Sequence, residues 1–335
     1  MMNRNQMKNQ GIPLSVNVKE NMPAVKNGTF DSWYVISNFE ADGKKFAFEW
    51  HQQALKIGPL GRIVTAEFLI TNGSEDICKH NAITEREGSK AGASADKLHV
   101  WTVWGGMDGD ETQMTLKLNA GTEGVDIVLT PTEQTLYNGT TGLLHFGSND
   151  SYEFAFPNMK IEGTLTFEGK QYPITNTTAW FDRQWGYKLS KTESVGKQPG
   201  MFQQSWLWLG MVLSENKKES ISLWDAYLKN GRYNFATFIH ADGSQNNAVA
   251  EVRYEDLYTS AASGNTYPRT VYVDVPQENL HLKLESLITD PEFYREKLGL
   301  SGCQCLCHVT GSYKGQNIEK DNVLELINNV CGEAY

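Results

Sequence analysis

No stretch of this 335-residue chain approaches the ~20 consecutive apolar residues that a bilayer-spanning helix needs, so a helical membrane protein is excluded. Positive charge is in the minority, with 30 Lys and Arg against 40 Asp and Glu and a formal net charge of -10. That balance disfavours a phosphate backbone or an anionic membrane surface, and no nucleic-acid partner is expected. Five cysteines are too few, and odd in number, for a disulfide framework. A Gly-x-Ser-x-Gly elbow, a Walker-type phosphate loop and a strand-linked Gly-x-Gly-x-x-Gly are all missing. Their absence lowers the serine hydrolase, ATPase and nicotinamide oxidoreductase readings together, and no cofactor is expected. Residues 1–26 are polar and basic without the apolar core of a secretory signal. They read as a flexible lead, with the cytoplasm the expected compartment, or secretion if the N-terminus has been trimmed.

Aromatic residues, by contrast, make up 11% of the chain and fall in short alternating runs instead of helical stripes. Ser32 to Phe39, Lys45 to Gln53, Ile63 to Thr71, Leu98 to Trp104, Gln113 to Leu118 and Val125 to Thr130 are such runs. A second series extends from Met159 to Ile327, and Ala41-Asp42-Gly43 and Ala241-Asp242-Gly243 supply hairpin turns. The pattern predicts an all-β, antiparallel protein built as two barrels or sandwiches in tandem. Gly147 to Ser151 and Pro157 break it, which places the boundary between a first domain, 27–155, and a second, 156–335. Asp290 to Leu298, with Pro291 in a first-turn position, reads as a helix. Lys191 to Gly200 reads as a mobile stretch able to cover a site.

The densest chemistry lies in Thr178-Ala179-Trp180-Phe181-Asp182-Arg183-Gln184-Trp185-Gly186-Tyr187. On a strand, Trp180, Asp182 and Gln184 share one face, and Phe181, Arg183 and Trp185 the other. A carboxyl beside an indole is either a general acid kept protonated by its surroundings, or a structural partner for Arg183. In the run Lys45 to Gln52, Glu49 and His51 share a face and can tune each other's proton affinity, or form a solvated edge. Asp225 and Tyr227 likewise share a face, as a proton relay or a plain hydrogen bond. Cys303, Cys305 and Cys307 line one side of a strand and His308 the other, so they read as core residues with no metal bound.

The run Ala179 to Gly186 resembles the Trp-x-Asp-x-x-Trp-Gly signature of the AttH-like and carotenoid 1,2-hydratase (hydroxyneurosporene synthase) superfamily, whose members include hydratases and fungal Diels-Alderases. Ser32-Trp33-Tyr34 with Phe46-Ala47-Phe48 is similar to its opening strands, and Trp206-Leu207-Trp208 before Ser222 to Tyr227 to the start of its second half. Gly302 to Gly315 with Leu324-Glu325-Leu326 is similar to its closing strands. Arg183-Gln184 stands where the signature often has His-Glu or His-Gln, which argues against a histidine relay there. The resemblance implies two lipocalin-like barrels and a pocket for a hydrophobic small molecule at the domain junction. It implies an enzyme that hydrates a carbon-carbon double bond of a polyene, isoprenoid or polyketide-like metabolite. Two alternatives stay open: a pericyclic cyclase that folds a polyene, and a carrier without turnover. The expected catalytic set is Asp182, Asp225, Tyr227, Glu49 and His51. Expected substrate contacts are Trp33, Trp50, Trp101, Trp180, Arg183 and Gln184, with Trp185, Trp206, Trp208 and Trp224. No oligomeric state is implied.

Overall fold

The alternating runs become strands of two antiparallel sheets in a computed structural model, which describes residues 16–25, 29–56, 61–132, 134–146, 149–186, 204–214, 216, 218–228, 231–296 and 300–331. The first sheet opens with the long strands β1 (Phe30–Ala41), β2 (Lys44–Lys56), β3 (Arg62–Asn72) and β4 (Ile77–Arg86). Shorter strands follow: β5 (Gly92–Ala93), β6 (Leu98–Thr102), β7 (Gly105–Gly109), β8 (Met114–Asn119), β9 (Gly124–Pro131), β10 (Leu136–Tyr137) and β11 (Leu143–Phe146). It ends with β12 (Asn149–Phe167), β13 (Lys170–Ile174) and β14 (Thr178–Trp185). Its strand order is β4-β3-β2-β1-β14-β12-β9-β8-β7-β6-β5, with β10, β11 and β13 also on β12. The last strand in sequence therefore lies between the first and the longest.

The second sheet comprises β15 (Ser205–Ser214), β16 (Glu219–Leu228), β17 (Gly231–Ile239), β18 (Gln245–Ala248) and β19 (Glu251–Thr259). It continues with β20 (Thr266–Val275), β21 (Leu280–Ser286), β22 (Glu292–Arg295), β23 (Leu300–Tyr313) and β24 (Gln316–Ile327). Its order is β18-β17-β16-β15-β24-β23-β21-β20-β19, with β22 paired to β23. The all-β, two-sheet expectation holds. The two-residue turn Asp42-Gly43 between β1 and β2 has φ of 52° and 73°, the left-handed pair that matches strand twist in a tight hairpin.

The compact units are Met1–Ile70 with Lys79–Lys197, and Thr71–Cys78 with Gln198–Tyr335. The boundary expected after residue 155 falls inside β12. Pro157 sits at a one-residue register shift between Phe156 and Met159, a bulge that absorbs the imino acid without ending the strand. Of the helix expected at Asp290 to Leu298, residues 297–298 lie outside the described residues, and the described ones hold instead the strand β22, paired with β23. Its alternation buries Phe293, whose ring occupies the space that a Cβ on Gly302 would fill. The segment Lys191 to Gly200 lies outside the described residues. Cys303, Cys305 and Cys307 are buried among the leucines and valines of the second unit's core, and His308 bonds Asp321 on the other face.

The lead is not loose over residues 16–25. A single helical turn, α1 (Val18–Asn21), is capped by Asn17, and Met22 and Ala24 are buried. What holds them is Arg183. Its Nε donates to the Asn21 carbonyl at 2.8 Å, Nη1 to the carbonyls of Ser32 and Gln184, and Nη2 to the Pro23 carbonyl at 2.7 Å and to Asp31 Oδ1 at 2.5 Å. Every N–H of the guanidinium thus has an acceptor. The ring of Trp33 lies 4.4 Å from its carbon and that of Trp185 5.1 Å. Arg62 binds the second oxygen of Asp31 at 2.5 Å. Burial pulls the Arg183 guanidinium below its usual range, and Asp31 opposes that pull.

Removing one member of such a buried pair leaves the other charge uncompensated. Asp31→Asn is expected to lower the unfolding free energy by about 3–5 kcal/mol in urea titration; a loss below about 1 kcal/mol would mean that the cluster does not anchor the sheet.

Candidate functional site

Cross-strand partners in an antiparallel ladder point to the same side, so the register of β2, β1, β14 and β12 defines a grid of side chains. One row is Gln53, Ser32, Gln184 and Glu153; the next is His51, Tyr34, Asp182 and Ala155; the third is Glu49, Ile36 and Trp180. This face places together the predicted Asp182, Trp180, Gln184, Glu49 and His51. Its carboxyls are withdrawn from water, at 7% exposure for Asp182, 3% for Glu49 and 1% for Glu153. Trp180 Nε1 donates to Asp182 Oδ1 at 2.8 Å, as expected for residues two apart on a strand.

His51 links two rows. Its Nε2 lies 2.7 Å from Ser32 Oγ, its Nδ1 lies 4.0 Å from Glu49 Oε1, and Tyr34 meets its ring edge-on at 5.2 Å between centroids. Burial pushes the imidazole down to about 4, so it is neutral at pH 7. The face therefore offers a carboxyl held by an indole on one strand and a neutral base beside a second carboxyl two strands away.

Other expected contacts belong elsewhere. Trp33, Trp50, Arg183 and Trp185 lie on the opposite face of the same strands, with Trp33, Trp50 and Arg183 wholly buried. They form core and ion-pair cluster instead of a ligand wall, since strand alternation turns each away from Asp182. Trp101 is committed to β6, where its ring covers Gly92, stacks on His99 at 4.8 Å and bonds the Gly88 carbonyl.

Asp225 and Tyr227 belong to the second unit, on the core side of β16. Asp225 is wholly buried and bound by Arg232 through Nε at 2.7 Å and Nη2 at 2.9 Å, by Asn234 at 3.2 Å and by the Tyr254 hydroxyl at 3.0 Å. Four donors on two oxygens make it a structural acid instead of a water-orienting one. The expected relay with Tyr227 is likewise replaced by packing of the Arg232 cation on the Tyr227 ring at 5.1 Å. Burial first, and the Asp225 charge second, push the Tyr227 phenol up.

On the other side of β16, Trp206, Trp208 and Trp224 gather, with centroids 6.3 and 6.5 Å from Trp224. Glu325 accepts from Trp206 Nε1 at 2.6 Å and from Gln304 Nε2 at 2.7 Å. The second unit thus repeats the pairing of a tryptophan N–H with a buried carboxylate seen at Trp180 and Asp182.

Sequence reasoning passed over Ser32, Tyr34, Glu153, Gln304 and Glu325. For the first two a signal existed: counting outward from the Asp42-Gly43 turn pairs Ala41 with Lys44 and Tyr34 with His51. Glu153 lay in the presumed linker, and Glu325 is set by a register with β15 and β23 that no local pattern encodes.

Two antiparallel sheets carrying buried polar and aromatic faces are the architecture of lipocalin-like β-barrel proteins. The chain belongs to the AttH-like family, whose profile matches residues 20–317. It is similar to kievitone hydratase of Fusarium solani subsp. phaseoli, 27% identical over 174 residues that cover 50% of this chain and 46% of that protein. It is also similar to the dehydratase asqC of Emericella nidulans, 24% identical over 173 residues, 48% of this chain and 45% of that protein. The chain spans about half the length of these curated relatives. In fold it resembles the crystal structure of kievitone hydratase from Nectria haematococca, with a TM-score of 0.77 at 20% identity, over 95% of this chain and 94% of that one.

The lowered proton affinity of His51 has a stability signature. The unfolded chain takes up the proton near pH 6.5 and the folded one near 4, so the contribution is complete above 6.5 and lost as pH falls from there to 4. The ring remains 22% exposed, which holds the effect to about 1–3 kcal/mol. Urea midpoints should fall more steeply over this window in the wild type than in His51→Gln; parallel profiles would show that the ring titrates normally.

Proposed function

We propose that the chain is a hydro-lyase acting on a carbon-carbon double bond of a lipophilic polyene, isoprenoid or polyketide-like molecule, with Asp182 as proton donor. The observation that carries the reading is the buried Asp182 carboxyl beside the Trp180 indole, on the face that also holds Glu49 and neutral His51. The names of the two curated relatives, a hydratase and a dehydratase, support it, because both describe making or breaking one carbon-oxygen bond with exchange of a water.

In the hydration direction Asp182 transfers its proton to one alkene carbon, and the π face of Trp180 offsets the charge that develops on the other. Water adds there, and its released proton passes to the Glu49–His51 pair. Dehydration is the same path reversed: the Glu49–His51 pair returns its proton to the departing hydroxyl, and the Asp182 carboxylate removes a proton from the adjacent carbon.

Mass spectrometry of the lipophilic molecule that copurifies with the protein supplies the substrate class, and incubation in heavy-oxygen water reads the chemistry. A mass change of one water, with solvent oxygen in the hydrated product, is expected; an isomer without solvent oxygen would assign a cyclase, and an unaltered ligand a carrier. Asp182→Asn should lower kcat by at least about 100-fold while ligand affinity stays within a few fold. Undiminished turnover would remove Asp182 from the reaction.

A further inference from the structure

We propose that Ser32, His51 and Glu49 constitute a nucleophilic acyl-transfer site, which opens esters or lactones of lipophilic molecules. Ser32 Oγ lies 2.7 Å from Nε2 of His51, and Glu49 Oε1 lies 4.0 Å from Nδ1, the other ring nitrogen. Hydroxyl, Nε2, Nδ1 and carboxylate in that order is the arrangement by which a base activates a serine while an acid orients the base. The first contact is a full hydrogen bond. The second is longer than one, so Glu49 is placed to act on the ring by its charge.

Two further features favour the assignment over a plain polar contact. Ser32 stands between Gln53 and Gln184 as cross-strand partners on the same face, and cross-strand partners of this kind have Cβ atoms roughly 5 Å apart. An amide N–H can therefore reach from either flank the oxygen of a carbonyl attacked by Ser32. Access is also graded: Ser32 and Glu49 are buried, but His51, Gln53 and Gln184 are each partly exposed, so the corner opens on the side where an ester would enter. Ser32 lies within β1 instead of at a strand-to-helix turn, and no elbow signature marks it.

The chemistry closes without an added reagent other than water. Oγ bonds to the carbonyl carbon as its proton moves to Nε2, and that proton is returned to the alkoxide as the acyl–oxygen bond breaks. Water, deprotonated by the same nitrogen, then cleaves the acyl-serine and restores the hydroxyl. This activity shares Glu49 and His51 with the hydro-lyase reading, but it turns on Ser32, needs no proton from Asp182 and does not rest on that reading.

Diisopropyl fluorophosphate tests it on the full chain: Oγ bonds to phosphorus, fluoride departs, and the proton is taken by His51. Peptide mass mapping should place a single adduct on Ser32. Its second-order rate should drop at least about 100-fold in His51→Gln and at least about 10-fold in Glu49→Gln. Hydrolysis of p-nitrophenyl hexanoate should show a burst that is lost in Ser32→Ala. Folded wild-type protein that carries no adduct on Ser32 would overturn the proposal, and this result needs no variant to fold. An adduct formed at an unchanged rate in His51→Gln would overturn it equally.

Discussion

The ion pair between Arg183 and Asp31 is the constraint on which the first unit depends. Two charges at 0% exposure survive only because each hydrogen-bonding position is occupied, and the acceptors come from α1, β1, β14 and the turn after α1. The pair fixes the registry of β1 against β14, where Asp31 lies opposite Trp185 and Trp33 opposite Arg183. A slip by one residue would bury Gln184 where Arg183 now sits and would turn Asp182 into the core. The same geometry that satisfies the guanidinium therefore aims the carboxyl two strands away from His51. The charged cluster on one face specifies the chemical face on the other.

This division of labour also decided what could be read from residue order. Alternation in Trp180 to Trp185 correctly separated Asp182 from Arg183, because strand periodicity is local and exact counting from one residue to the next carries it. Alternation could not say which side was core. Trp33, Trp50 and Trp185 are as apt for a ligand wall as for packing, and burial on both faces removes the polar-out signal that would distinguish them. Asp225 was equally ambiguous, since its partners Arg232, Asn234 and Tyr254 come from β17 and β19 and are not implied by the residues around it. Over residues 16–25 the lead was misread because carbonyl acceptors are invisible in side-chain composition: Asn21 and Pro23 bind Arg183 through backbone oxygens.

The two units resemble each other in chemistry more than in residue order. In each, an indole N–H on one strand holds a carboxylate withdrawn from water, Trp180 with Asp182 and Trp206 with Glu325. A neutral indole offers such a carboxyl one hydrogen bond and no opposing charge. Asp31 and Asp225 are the opposite case in the same chain, each closed by arginine.

The bulge in β12 carries an evolutionary implication. Upstream of Pro157 the strand follows β14 in the register that includes Glu153 and Gln184; downstream it follows both β14 and β9 after a shift of one residue. Such a joint acts as a mechanical fuse. Drift among the short hairpins from β5 to β9 can alter their own alignment and stop at the joint, leaving the rows that contain Glu153 and Asp182 undisturbed, so that the two parts of the sheet are free to diversify at different rates.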